Sequence, residues 1–269
     1  MRRLLAVLLF CALTPLAAGC GAGDDVKSAV DPVAQAATNT QNAGSVEVAM
    51  SGKASAAGQE IPLQGEGAFD LKAKRGHFTM TTSVPGQEGL KIEEIVDGLV
   101  LYMHSDALAK GLPAGKKWLK LDLKAAGAKQ GVDIAQLQSL SGGGDPTQFL
   151  TYLAKAGHVE KVGSEDVNGT PTTHYHATID FDKLADSAGK AAGSVRQLEQ
   201  MTGLKSLPTD IWIDASQRVR RQTVAIDVKQ PLPIKFSVTI DYKRFGVPVD
   251  VQVPPADETV DYTDVAGGG

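Results

Sequence analysis

Cysteine is nearly absent from this chain: it stands at positions 11 and 20 and nowhere after. Disulfide staples, thiolate metal sites and a cysteine nucleophile are thereby excluded from the remaining length, so the fold must rest on its own core. Aromatic residues make up only 5%, which weakens any surface that would bind sugars by stacking rings. No apolar run approaches the roughly 20 residues of a spanning helix; the run at Leu4–Leu13 has ten. Positive charge is not in excess either. Basic residues number 27 against 31 acidic, which argues against a nucleic-acid partner, since that would want a clustered basic face. There is no Gly-x-Ser-x-Gly elbow and no His-Glu-x-x-His pair, so neither a serine hydrolase nor a zinc protease is indicated.

What is present begins at the N-terminus. Met1-Arg2-Arg3 is basic, Leu4–Leu13 is apolar, and Ala17, Ala18 and Gly19 are small. That order is the pattern of a secretory signal peptide. Leu16-Ala17-Ala18-Gly19-Cys20 then resembles the lipobox of bacterial lipoproteins, with Ala17 where leucine is usual. The resemblance implies that residues 1–19 are removed, that Cys20 carries the lipid, and that residues 20–30 form a lipidated, flexible tether. Two or three acyl chains, at about 0.8 kcal/mol per buried methylene, would hold the protein on the outer face of the cell membrane. Loss of Arg2 and Arg3 would leave 25 basic residues against 31 acidic.

Asp31-Pro32 reads as a helix start, with Val33, Ala36, Ala37 and Thr40 on one face. From Ser45 the period changes to two, and strand-like runs recur at 63–72, 75–83, 91–97, 99–104 and 117–123. Asp97-Gly98 and Asn168-Gly169 are hairpin signals. Helical segments are expected over 132–140, 141–157 and 182–203, with strands between and after them, the last running over 234–254. About eleven strands follow one another with no linker between them. The fold class is α+β: a single large curved antiparallel sheet, a half-barrel covered by a few helices, forming one domain over residues 31–265. Between such a sheet and loosely packed helices an apolar pocket can form.

The segment GDPTQFLTYLAKAGHVEKVGSEDVNGTPTTHYHATIDFDKL (144–184) resembles the LppX/LprAFG-type lipoproteins of actinobacteria, and LPTDIWIDASQRVRRQTVAIDV (207–228) is similar to that family's closing hairpins. The resemblance implies a LolA/LolB-like fold and a cavity that holds acyl chains. A membrane-anchored carrier of lipid or acylated glycolipid within the cell envelope is the function it implies, with no enzymatic activity and no cofactor. The alternative keeps the fold with a filled core, as an envelope sensor or adaptor that binds a partner protein. The partners expected are the membrane, through the anchor, and a lipid or glycolipid ligand; the chain is expected to be a monomer.

Candidate pocket-wall residues are Phe69, Phe78, Met80, Tyr102, Phe149, Leu153, Ile213 and Phe236. A mouth at one end of the sheet would be gated by 141–157 or 182–203. His174 and His176 lie two apart on a strand and point to one face, where both imidazoles meet a single zinc only if a third ligand comes from elsewhere. The competing reading, and the one adopted, has both histidines facing solvent and Tyr175 inward, with no metal. Asn168-Gly169-Thr170 matches a glycosylation sequon and reads better as a turn. Ser141–Asp145 is glycine-rich but lacks the lysine of a phosphate-binding loop.

Overall fold

The computed structural model describes residues 22–56, 59–84, 87–125, 157–187, 192–228 and 234–266. Two antiparallel meanders dominate it. The first comprises β1 (Ser45–Ala56), β2 (Gln59–Asp70), β3 (Arg75–Val84), β4 (Gln87–Asp97), β5 (Val100–His104) and β6 (Trp118–Asp122). The second comprises β7 (Gly157–Val167), β8 (Thr170–Asp180), β9 (Ser206–Asp214), β10 (Val219–Val228) and β11 (Ile234–Phe245). β1 pairs antiparallel with β11 and joins the meanders into one sheet. A three-residue strand, β12 (Thr259–Asp261), adds to β6 in parallel. Among the described residues this makes a single open, mostly antiparallel sheet of twelve strands, with β7 and β12 at its edges. The twelfth strand escapes sequence reading because three residues are too few to show a period.

The turns at one end of the sheet are tight. Asn168 and Gly169 both have positive φ, 52° and 80°, as a type I′ hairpin requires, so the sequon is a turn. The next hairpin signal is displaced by one residue: Asp97 pairs with Val100, and the loop is Gly98-Leu99, with Gly98 at φ 60°. Glycine at the first central position is the II′ arrangement.

Helix α1 (Ala22–Asn42) packs against β7 and β10. It corrects the sequence reading in one respect, because residues 22–30, expected as flexible tether, are helical and Pro32 lies inside the helix. A proline there removes one main-chain bond. The turns that follow compensate, since Val33, Ala36, Ala37 and Thr40 are all buried. The Thr40 hydroxyl accepts a hydrogen bond from the Val219 N–H at 3.0 Å, pinning the helix to β10.

Three short helices follow in the chain: α2 (Asp106–Gly111), capped by Ser105 accepting from the Leu108 N–H at 3.1 Å, α3 (Phe181–Ser187) and α4 (Ala192–Thr202). A fourth, α5 (Tyr262–Ala266), ends the description. The final strand also stops earlier than expected, at Phe245 rather than 254. Gly246 turns the chain at φ 67°, and Pro248, Pro254 and Pro255 have no N–H to offer a ladder. The segments expected as helices at 132–140 and 141–157 fall outside the described residues, except that Gly157 opens β7.

Candidate functional site

Residues directly opposite one another in neighbouring strands share a face of the sheet, so the register sorts the faces without ambiguity. Val46 and Val48 belong to the core cluster. Stepping from them across β2 and β3 places Leu63, Phe69, Phe78 and Met80 on the same interior face. β4 and β5 continue it with Ile92, Val96, Leu101 and Met103, and β6 with Leu119 and Leu121. Most of these side chains are only half-buried. The interior face of β7–β11 is different: Val159, Ala177, Ile179, Ile211, Ile213 and Val219 are buried in the same cluster as α1.

Three glycines shape the half-buried face. Gly65 and Gly67 on β2 and Gly76 on β3 all fall on the interior side by register. A Cβ at Gly65 would stand 2.4 Å from the Phe78 ring, and one at Gly76 2.2 Å from the Phe69 ring. Each ring therefore lies down over a glycine of the adjacent strand, with ring centroids 6.4 Å apart. An aromatic covering a strand glycine repairs the exposed backbone. Here it also flattens the floor, because the rings lie along the sheet where they would otherwise rise from it.

Glu94 is the exception on this face. It sits opposite Phe78 on one side and Met103 on the other, in phase with Leu90, Ile92 and Val96. Burial pushes its carboxyl above the ordinary value near 4.5. No hydrogen bond or ion pair reaches it among the described residues.

At the end of the sheet opposite the Gly98 and Asn168 turns there is an open cleft of about 750 Å³. Leu204, Leu207, Ile226 and Phe236 supply its apolar lining, and Lys53, Glu60, Asp227 and Lys235 its charged rim. Lys53 donates to Glu60 at 2.9 Å.

The outer face carries a polar network. His174 meets Glu165 at 2.9 Å through Nδ1 and Asp210 at 2.8 Å through Nε2, and His176 meets the same Asp210 oxygen at 3.1 Å. The Trp212 ring stacks on His174 at 4.3 Å and donates to Glu165 at 2.9 Å, a bond that leads the causes holding that carboxyl below its usual range. Tyr175 points inward and is buried. Among the described residues no group of three or more His, Cys, Asp or Glu is placed to hold a metal ion, and none of the helices is long and apolar enough to cross a membrane.

Of the wall residues read from sequence, Phe69, Phe78 and Met80 come together on the half-buried interior face, and Phe236 lines the cleft. Ile213 is packed into the core cluster beneath α1. Tyr102 is a correction: it pairs with Ile95, which pairs with His77, so it lies on the opposite face from Phe78 and cannot share a wall with it. Its place in the strand is an odd step from Leu101 and Met103, and the alternation of side chains decides the matter. Cys20, Phe149 and Leu153 lie outside the described residues. Sequence reading missed Glu94, although a signal exists in LKIEEIV (90–96): one glutamate falls in the apolar phase of a period-two pattern.

No family model matches the chain. The chain is 30% identical over 176 residues to an uncharacterized 31.2 kDa protein of the rplA-rplJ intergenic region of Streptomyces griseus, a match covering 61% of this chain and 54% of that protein. It thus spans about half the length of that curated relative. Among solved structures it is similar to the Mycobacterium tuberculosis lipoprotein LppX, at 15% identity and a TM-score of 0.47, with 84% of this chain and 98% of that one covered. It is also similar to LprF from Mycobacterium bovis, at 14% identity and a TM-score of 0.46, covering 84% and 97%.

Proposed function

We propose that this chain is an exported, membrane-anchored lipoprotein that binds lipid or acylated glycolipid on the interior face of β1–β6 and carries it within the cell envelope. Cys20 is the anchor, on the outer face of the membrane, and the protein works as a monomer without chemistry or cofactor. The observation that carries this reading is the unequal filling of the interior. The face under α1 is a packed core. The face from Leu63 to Leu121 is apolar, flattened by rings lying on glycines, and half-buried. Acyl chains laid on such a surface leave water at about 25 cal/mol per Å², which drives capture without any reaction. The cleft beside Phe236 opens at the end of the sheet opposite the Gly98 and Asn168 turns, and serves as the mouth.

Full-length protein, purified from membranes in mild detergent, is the material for the test. Native mass spectrometry with lipid extraction should find a noncovalent acyl species at near-stoichiometric amount, in addition to the mass of the covalent anchor. Protein free of such a species, and unable to take up added fluorescent fatty acid or glycolipid, would overturn the carrier and leave the adaptor with a filled core.

A further inference from the structure

The uncharged polar side chains buried in the packed half are bonded: the Thr209 hydroxyl donates to the Thr223 carbonyl at 2.9 Å, the Thr40 hydroxyl takes the Val219 N–H, and Gln222 accepts from the Tyr242 hydroxyl at 3.4 Å. Even Thr82, buried on the first meander, donates to the Pro62 carbonyl at 2.8 Å. Glu94 differs from them: it is half-buried, its carboxylate oxygens are not sealed from water, and no protein group among the described residues bonds it. Among the described residues it is the only ionisable side chain that the register places on the interior face of β1–β6. Its neighbours there are Gly76, Phe78 and Met80 on β3, Ile92 and Val96 on its own strand, and Leu101 and Met103 on β5, none of which can bond it. Covering this carboxyl with hydrocarbon alone would strip its water and leave it without a partner, which is costly.

Resting on the carrier reading, we propose that Glu94 is the polar anchor of the binding face and accepts a hydrogen bond from a hydroxyl carried on the acyl chain of the ligand. A hydroxyl is the group that suits the site in either protonation state, because a carboxylate and a carboxylic acid both present an acceptor oxygen. A plain methylene chain leaves the carboxyl unpaired against hydrocarbon, so the site discriminates by what a wrong ligand fails to satisfy, as polar pockets do. The position is deep. Glu94 lies seven residue steps along β4 from Gln87 at the mouth end, about 23 Å at 3.3 Å per residue, so the hydroxyl belongs on a long chain and away from its head group.

The test uses membranes bearing the full-length protein and a panel of long-chain fatty acids, each with a diazirine. Their hydroxyl is placed at stepped positions or omitted, and crosslinks are mapped by mass spectrometry. In the wild type one hydroxylated probe should label β3–β5 about tenfold more than the plain probe, a discrimination of about 1.4 kcal/mol. Glu94→Leu should bring that ratio to about one. Glu94→Gln, which keeps an acceptor oxygen, should hold it between the two. The ratio is taken within each preparation, so partial unfolding of a variant cancels. Equal labelling of β3–β5 by all probes in the wild type would overturn the anchor and leave the carrier standing. Absence of labelling there by any probe would overturn the carrier, and the anchor with it.

Discussion

Beneath α1, Ile211 and Val219 on the second meander have no solvent exposure at all, while Met80, Ile92 and Met103 on the first meander occupy equivalent interior positions and remain half-buried. Both meanders show the same alternation of apolar and polar residues. The difference lies in what meets the apolar side. β7 and β10 present Val159 and Val219 to a helix whose buried positions include Val33, Ala36 and Ala37, small enough to bring the helix close. β2 and β3 present glycines and rings that lie flat. Alternation determines which side is inside; the sizes of the residues determine whether the inside is filled.

The sharpest way to break this comparison is a pair of truncations. Ile211→Ala should lower stability by about 2–5 kcal/mol, the range for emptying a well-packed site, read as a lower urea midpoint with unchanged slope. Met80→Ala should cost well under half of that and reduce retained lipid. Equal costs at the two positions would show that both halves are packed alike and would remove the basis for a binding face.

The outer face of the packed half offers the next test. Arg221 grips Asp241 through Nε at 2.5 Å and Nη2 at 2.9 Å, and Asn168 adds a bond at 3.1 Å. Burial alone would push the Asp241 carboxyl up, but these bonds together outweigh it and hold it below its ordinary value. Asp241→Asn should therefore cost about 1.5–3 kcal/mol at neutral pH, the range for hydrogen bonds to a charged group. The sign with pH follows from a depressed folded value. The contribution is present above the unfolded value of about 3.8 and is lost as pH falls through the folded one. Denaturation midpoints of wild type and variant should converge below that point.

On the first meander, Gly65→Val asks whether the floor is flat by necessity. The added carbons would meet the Phe78 ring at 2.4 Å and force it off the sheet. Overpacking of this kind costs about 1–3 kcal/mol. Lipid capture should fall by more than stability does, because the displaced ring occupies the volume above the floor. A variant with full capture would show that the rings can stand up without filling the site.

The parts of the molecule legible in the sequence are those governed by local periodicity. Val46, Val48 and Met50 announce β1, Asn168-Gly169 announces its hairpin, and the inward Tyr175 between His174 and His176 follows from a period of two. What was not legible depends on pairing between distant strands. The union of β1 with β11 could not be read from either strand, and nothing in TVD announces β12. Tyr102 looked like a wall residue from its type, whereas the register with Ile95 and His77 turns it outward. The residue type marks Phe69 and Phe78 as wall residues, but the posture of their rings depends on Gly76, Gly65 and Gly67 across the ladder. That is a contact between strands and leaves no trace in the pattern of one strand.

The smallest expected effect separates the halves by sign. Glu94 has a folded value raised by burial, the reverse of Asp241. Its contribution is fully present below the unfolded value near 4.5 and is lost as pH rises through the folded one, because the folded state holds the proton longer. Among the described residues its neighbours on the face, Phe78, Met80, Ile92, Val96, Leu101 and Met103, do not titrate, so the effect is assigned to this one group. Glu94→Gln should accordingly gain on the wild type as pH is raised above that range, in urea denaturation followed from pH 4 to 8 (a buffer series on the order of the window that linkage defines). A hydroxylated lipid bonds the ionised form and shifts the wild-type curve back toward that of the variant, whereas a plain chain displaces water from the carboxylate and widens the gap. Curves that respond identically to both lipids would place Glu94 away from the bound chain. A wild type that gains stability over Glu94→Gln as pH rises would show that the carboxylate already has a partner.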